Sequence, residues 1–169
     1  MKTPEYQVGL IEAANFSTAD QAACIRVIEG GEAVDVESAR RELPKAIAVA
    51  IARLEGQIVG VGAIKRQRVK YAAEVSKKAH FKFPAEVLEL GYVAVDPTHL
   101  GNHLSHKLVA VLLAVPRDAL FSTTSHPRMK ETLKKAGFVQ RGQEWDGNKS
   151  KLSLWLRDKP SDLENVAIT

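Results

Sequence analysis

The stretch from Val87 to Leu113 constrains the fold more than any other part of the sequence. Residues 87–95, VLELGYVAV, are almost entirely apolar, and a strand that is apolar on both faces belongs in the middle of a sheet. The turn DPTHLGNH follows, with one proline and one glycine, and then SHKLVAVLLAV, an apolar helical segment that runs to Pro116. A buried strand, a tight turn and a helix in this order present the N–H groups of a helix N-terminus to an anion. The segment therefore predicts an anion site at the turn.

The chain before this strand predicts one strand, two helices and an antiparallel hairpin. The bounds of these elements follow from the spacing of apolar residues, from a helix cap and from a proline that ends a helix. These elements are a strand at 6–12, a helix capped by Ser17 or Thr18 and ended by Gly30-Gly31, a second helix from about Val36 to Pro44, and a hairpin over 46–68 that turns at Glu55-Gly56-Gln57.

The chain after this helix predicts a strand, a helix and a closing hairpin. They are ALFSTTS at 119–125, HPRMKETLKKAG ended by Gly137, and FVQRGQEW with KLSLWLR around Asp146-Gly147-Asn148. The element order β-α-α-β-β-β-α-β-α-β-β predicts an α/β fold (an α+β mixed sheet), with a central mixed, mostly antiparallel sheet flanked by helices. We expect a single domain over residues 1–158 and a flexible C-terminal tail at 159–169.

The segment from Val69 to Pro84 follows neither a helical nor a strand period clearly. We expect a long, partly helical excursion on the surface, where functional loops tend to lie. Its cations would favour an acidic acceptor or an acidic protein or RNA surface, and the alternative is a solvated charged loop. The charged residues that support this are Lys70, Lys77, Lys78, His80 and Lys82, against Glu74.

A single cysteine and a mild positive charge narrow the classes of function. Cys24 has no partner for an intramolecular disulfide and the histidines show no HExxH spacing, so we expect no disulfide and no metal site. The chain carries 24 Lys and Arg against 20 Asp and Glu, an excess that favours anionic ligands without singling out nucleic acid. No apolar run is long enough to span a membrane and no signal peptide is evident. The composition predicts a protein of the reducing cytoplasm.

Two segments in this element order resemble the GNAT N-acetyltransferase superfamily, whose members transfer an acetyl group from acetyl-coenzyme A to an amine. VDPTHLGNHLS, from Val95 to Ser105, resembles the pattern V-x-P-x-x-[RQ]-G-x-G-x-[GA], although His103 and Ser105 stand where the family has small residues. HPRMKETLKKAGF, residues 126–138, is similar to N-x-x-A-x-x-x-Y-x-x-x-G-F, with Leu133 in place of the tyrosine. The resemblance covers residues 6–157 and implies a GNAT-like fold with acetyl-coenzyme A as co-substrate.

The resemblance also implies where the donor would bind. The pyrophosphate would lie on backbone N–H groups of the turn and the pantetheine arm along the preceding strand. For His103 the alternative is a solvent-exposed turn histidine. The implied cofactor-binding residues are Val93, Val95, Leu100, Gly101, Asn102, His103, Leu104 and Ser105.

Three residues are candidates for the acid and base chemistry that acyl transfer needs. Glu89 lies inside the apolar strand and related enzymes often have a glutamate base there, while the alternative is an edge-facing or ion-paired acid. Leu133 cannot donate a proton to the leaving thiolate, which leaves Tyr92, His126 or Ser125 as substitutes. Tyr92 can equally be a core residue.

Three functions stay open at this point. The first is an N-acetyltransferase that acts on a primary amine of a small molecule or a protein, with a homodimer left open. The second is a GNAT-fold binding or regulatory protein without catalysis, since Leu100, His103, Ser105 and Leu133 depart from the family pattern. The third is an acetyltransferase directed at RNA such as aminoacyl-tRNA, which the basic composition leaves open but does not favour.

Overall fold

A computed structural model describes residues 5–31, 36–84, 86–114, 118–147 and 150–158. The chain divides into two compact units, which are described separately. The first unit consists of Met1–Arg66 and Leu90–Val115, and the second of Gln67–Glu89 and Pro116–Thr169. The predicted tail at 159–169, residues 115–116 at the predicted end of the helix, and Asn148 of the last hairpin lie outside the described residues.

The first unit holds an antiparallel sheet with helices packed on it. Strands β1, β2 and β3 pair in antiparallel order and precede β4, which runs from Val87 into this unit and ends at Val95. Helices α1 and α2 pack together, and buried residues of both lie in one core with Val61 and Tyr92. The bounds are β1 Gln7–Ile11, α1 Thr18–Glu29, α2 Val36–Glu42, β2 Ala48–Leu54, β3 Gln57–Arg66, β4 Val87–Val95 and α4 Leu104–Leu113.

Helix α4 lies against β1, β2 and β3 because glycines on β3 admit it closely. A Cβ added at Gly60 would lie 3.1 Å from Leu108 Cδ1, and one added at Gly62 would lie 3.1 Å from Leu112 Cδ1. Real Cβ contacts are rarely this short, so larger residues would displace the helix. This packing holds the N-terminus of α4 next to the end of β4.

The second unit is built on strands β4, β5, β7 and β6 in that order. Strand β5 pairs in parallel with β4 from Val87↔Ala119 to Glu89↔Phe121, and β7 is antiparallel to both β5 and β6. Its core contains Phe121, Leu154 and the buried face of α3. The bounds are α3 Val69–Ala79, β5 Ala119–Thr124, α5 Pro127–Lys135, β6 Val139–Asp146 and β7 Lys151–Arg157. The antiparallel pairs of the first unit and the parallel and antiparallel pairs of the second, with helices beside them, confirm the predicted mixed α/β fold class.

The predicted elements agree with the structure except at residues 69–79. The predicted order gave no separate helix there, whereas α3 is a regular helix that ends at His80 in a left-handed conformation. Its apolar residues Ala72, Val75 and Ala79 are buried and recur at helical spacing. Lysines and a glutamate between them hide that spacing in the sequence.

Among the described residues, no helix has both the length and the hydropathy that crossing a membrane would require.

Candidate functional site

The turn that follows β4 is fixed by its own hydrogen bonds. Asp96 Oδ1 accepts from the backbone N–H of Thr98 at 2.9 Å and from its hydroxyl at 2.8 Å. These two bonds, the backbone one first, lower the pKa of Asp96, because both favour the carboxylate. The Asp96 side chain therefore holds the single 3₁₀ turn, Pro97–His99, that carries the chain towards α4.

His99 connects this turn to the residue that precedes β1. The Tyr6 hydroxyl lies 2.8 Å from His99 Nδ1, and their rings meet edge to face. Asn102 Nδ2 donates to the His99 carbonyl at 3.0 Å. Asn102, which the sequence predicts to bind acetyl-coenzyme A, thus stabilises the turn through its side chain.

The backbone between Leu100 and α4 adopts conformations that favour glycine. Gly101 has φ 89° and a Cβ added there would meet nothing within 4 Å, so the space beside it is open. His103 has φ 58° and is the N-cap residue of α4. The second glycine of the pattern that the sequence resembles falls at this position, and histidine is among the side chains that tolerate the left-handed region best. The turn therefore has a conformation that favours glycine, with a larger side chain in place.

The first turn of α4 presents backbone donors. Lys107 N–H is bonded to the His103 carbonyl at 3.2 Å, which begins the helical ladder, so Leu104 and Ser105 precede it. The side chain of His103, the N-cap residue, makes no capping hydrogen bond to α4. The N–H groups and the helix dipole together form an environment that suits an anion.

The predicted donor residues fall on this one stretch of the first unit. Val93 and Val95 end β4, Leu104 is buried and anchors α4, and Leu100 is 51% exposed. Leu100 stands where the pattern that the sequence resembles has arginine or glutamine, so the turn offers an apolar surface there in place of a polar side chain. At this position the turn can therefore offer a ligand only backbone polar groups.

Tyr92 is a buried residue of the first unit with an unusual backbone. Its φ is 54° inside a strand, which a bulky residue adopts only where the surroundings enforce it. Its hydroxyl lies 2.9 Å from Ser38 Oγ, and Lys65 Nζ lies 3.8 Å from its ring centroid. Tyr92 also belongs to the apolar core of this unit, as the alternative in the sequence analysis has it.

Glu89 lies on β4 within the second unit and is 5% exposed. It pairs with Phe121 of β5, so it lies in the interior of the sheet and away from an edge. The Glu89 carboxylate is therefore withdrawn from water, unlike the carboxylate of a solvated surface acid. Its electrostatic neighbours include Tyr71 on α3.

Tyr71 and its neighbours were missed in the sequence. The Tyr71 hydroxyl lies 2.7 Å from Thr123 Oγ1, and the Arg68 guanidinium carbon lies 4.4 Å from the Tyr71 ring centroid. Burial raises the pKa of Tyr71. The hydrogen bond with Thr123 opposes this effect, and the charge of Glu89 makes a smaller contribution that raises the pKa. The helical spacing of Ala72, Val75 and Ala79 was the available signal for this face of α3.

His126 lies at the N-terminus of α5. Its Nδ1 accepts from the Arg128 N–H at 3.2 Å, and its own N–H donates to Thr124 Oγ1 at 3.1 Å. The ring nitrogen that accepts from a backbone N–H is unprotonated, so His126 acts as a helix cap here. Leu133 is fully buried, and α5 ends at Lys135, two residues before Gly137 with its φ of 91°.

Solved structures with the same fold include acetyltransferases and other acyltransferases. A GNAT-family acetyltransferase from Streptococcus agalactiae is 12% identical at TM-score 0.65, covering 92% of this chain and 96% of that chain. The protein yncA of Salmonella typhimurium, solved with its cofactor acetyl-CoA, is 15% identical at TM-score 0.64, covering 91% of this chain and 94% of that chain. FeeM, an N-acyl amino acid synthase from uncultured soil microbes, is 16% identical at TM-score 0.67, covering 94% and 93%. No family model and no curated protein matches the sequence. The chain therefore has the GNAT fold that its sequence predicted.

Proposed function

We propose that the chain is an acyl-coenzyme A-dependent N-acyltransferase of the cytoplasm, which transfers the acetyl group of acetyl-coenzyme A to a primary amine of a small molecule or a protein. The observation that carries the proposal is the turn between β4 and α4, with open space beside Gly101 and an N-cap residue, His103, whose side chain makes no capping hydrogen bond to α4. Related folds support the donor, since yncA was solved with acetyl-CoA.

The turn fits a pyrophosphate through its backbone. The N–H groups of Leu104 and Ser105 precede the hydrogen-bond ladder of α4, and the open side of Gly101 lets an anion approach without meeting a side chain. Such contacts survive the change of neighbouring side chains, because they depend on backbone conformation alone. The backbone of β4 from Val93 to Val95 would run beside the pantetheine arm.

The chemistry requires one base and one proton for the leaving group. The amine nitrogen attacks the thioester carbonyl carbon, the carbon–sulfur bond breaks, the nitrogen loses a proton and the thiolate gains one. Glu89 is the proposed base, because a carboxylate on the interior of β4 is shielded from water and can accept the amine proton. Among Tyr92, His126 and Ser125, only Tyr92 is both buried and able to donate.

Calorimetric titration with acetyl-coenzyme A tests the donor site. We expect Ser105→Glu to abolish binding, because it places a carboxylate against the pyrophosphate at the first turn of α4. Ala110→Glu is the matched control, since this exposed residue adds the same charge to the same helix about 8 Å further along the axis. Binding that survives Ser105→Glu, or is lost equally in both variants, would contradict the proposed location.

Release of coenzyme A thiol with a panel of primary amines tests the activity. We expect the wild type to turn over at least one amine and Glu89→Gln to lower kcat by about a hundredfold, the typical contribution of a positioned base, with donor affinity unchanged. Undiminished turnover in Glu89→Gln would remove Glu89 from the mechanism.

A second candidate is a GNAT-fold binding protein without catalysis. The observation that favours it is Leu133, a buried leucine where the family carries its proton donor. The two candidates differ in one result, because the binding protein would bind acetyl-coenzyme A and release no thiol with any amine.

A further inference from the structure

The turn that follows β4 meets the start of β1 in the first unit. Tyr6 lies one residue before β1, and the strand order β1-β2-β3-β4 places three strand spacings between β1 and β4, which is about 14 Å. Even so, the Tyr6 hydroxyl lies 2.8 Å from His99 Nδ1, and the two rings meet edge to face. The turn and the Tyr6 side chain together therefore bridge the end of the sheet from β4 to β1.

His99 is held through its N–H, its carbonyl and its ring. The N–H donates to the Asp96 carbonyl at 2.8 Å, and the carbonyl accepts from Asn102 Nδ2 at 3.0 Å. Both bonds join residues three positions apart, so they shape the turn from within. The ring contact with Tyr6 joins residues 93 positions apart. Tyr6 therefore ties His99 to the sheet, whereas the two local bonds only shape the turn.

The donor segment, residues Leu100–His103, lies between two fixed points. The ring contact holds His99 before it, and the buried Leu104 holds the start of α4 after it. Between these points Gly101 has φ 89° and His103 has φ 58°, and a histidine keeps such a conformation only while the surrounding structure enforces it. A segment this short takes its backbone conformation from the positions of its two ends. Loosening His99 would therefore let the segment leave this conformation.

We propose that Tyr6 is a positioning residue for the acetyl-coenzyme A site. Through His99 it holds the donor segment in the conformation that presents backbone N–H groups to the pyrophosphate. The inference rests on the proposed function, because Tyr6 acts only through the donor site. It also gives the residue before β1, which lies outside the two segments that resemble the family, a part in binding.

Calorimetric titration with acetyl-coenzyme A measures the effect of this contact. Tyr6→Phe keeps the ring and removes the hydroxyl, so we expect the dissociation constant to rise about fivefold, the equilibrium factor for one ordinary hydrogen bond. The KM for acetyl-coenzyme A should rise with it. The value of kcat at saturating acetyl-coenzyme A should stay the same, because the bound donor selects the competent conformation. A lower kcat with an unchanged dissociation constant would contradict the proposal.

Two substitutions of His99 separate the hydrogen bond from packing. Asparagine and leucine are similar in size, but only His99→Asn keeps a hydrogen-bonding atom near the position of Nδ1. We expect His99→Asn to bind acetyl-coenzyme A nearly as tightly as the wild type, and His99→Leu to bind it about fivefold more weakly. Adding Tyr6→Phe to His99→Leu should weaken binding no further, since both changes remove the same contact. Additive effects would mean that the two residues act independently, which would overturn the proposal.

Ser76→Ala provides a control for a general loss of stability. It removes a hydroxyl of the second unit that donates to the Phe81 carbonyl at 2.7 Å. We expect it to lower the melting temperature and to leave the dissociation constant of acetyl-coenzyme A in place. If Ser76→Ala weakened binding as much as Tyr6→Phe, both would report only the stability of the protein, and the role of Tyr6 would be overturned.

Amide hydrogen exchange tests the contact without any ligand. The His99 N–H is bonded within the turn, so its exchange reports how often the turn opens. We expect this exchange to become about fivefold faster in Tyr6→Phe, by the same hydrogen-bond factor, and to stay the same in Ser76→Ala. Unchanged exchange in Tyr6→Phe would show that Tyr6 does not hold the turn, and would overturn the proposal.

The proposed function and this inference fail in different ways. A wild-type protein that binds no acetyl-coenzyme A would overturn the proposed function, and the role of Tyr6 in donor binding with it. A wild type that binds acetyl-coenzyme A only as tightly as Tyr6→Phe does would overturn the inference alone.

Discussion

Replacing Gly101 by alanine tests the geometry of the turn on which the donor site depends. Gly101 has φ 89° and open space on the side where a Cβ would lie. The substitution therefore introduces backbone strain and no collision. Gly9 of β1 is the matched control, because an added Cβ there also meets nothing within 4 Å while its φ lies outside the positive range.

The expected magnitude follows from comparing the two variants. Both replace glycine by alanine, which lowers the entropy of the unfolded chain and by itself stabilises a protein by about 0.4–1 kcal/mol. This effect is the same at both positions and cancels in the difference. What remains is the penalty for an L-residue at positive φ, about 1–2 kcal/mol. Gly9→Ala should thus be slightly more stable than the wild type and Gly101→Ala slightly less stable.

Urea unfolding followed by circular dichroism at 222 nm measures this difference. The free energies of unfolding of the two variants should differ by about 1–2 kcal/mol with the same dependence on urea. Donor affinity should fall in Gly101→Ala only, because the added Cβ occupies the open side of the turn. If the two variants were equally stable, Gly101 would not hold a conformation that requires glycine, and the backbone argument for the anion site would fail.

Three further predictions concern positions away from the turn. Burial raises the pKa of Cys24 from 9.0 to about 12, so alkylation of the thiol at pH 8 should be slow until the protein unfolds. The free energy of unfolding should also decrease as pH rises from 9.0 towards 12, because the thiol of the unfolded chain ionises first. Gly142→Ala should be strongly destabilising in a thermal melt, because the new Cβ collides with the Ala79 carbonyl at positive φ. Ser153→Ala should cost about 1–3 kcal/mol in urea unfolding, since Trp155 Nε1 donates to this buried hydroxyl at 2.9 Å and would lose its acceptor.

The strand, turn and helix around Gly101 could be predicted because each carries a local signal. The apolar run of β4, the proline after it and the single glycine determine that part of the chain without help from distant residues. The N-cap at Ser17 is similar, since its hydroxyl accepts from the Asp20 N–H within the same helix end. Such features depend on residues close in sequence, which a single sequence displays.

Tyr71 could not be assigned from the sequence because its partners are distant. Thr123 lies 52 positions away along the chain, and Glu89 lies beside β5, the strand of Thr123, only through the parallel pairing of β4 with β5. The charged residues around Ala72 and Val75 also obscured the helical period that would have placed Tyr71 on a buried face. A tyrosine beside lysines in an irregular basic segment indicates a solvated surface, whereas the same tyrosine on the inner face of α3 meets a threonine hydroxyl and the field of a carboxylate. The chemistry of this residue is set by the sheet register, which is why a search of the turn and of the strand ends alone would overlook it.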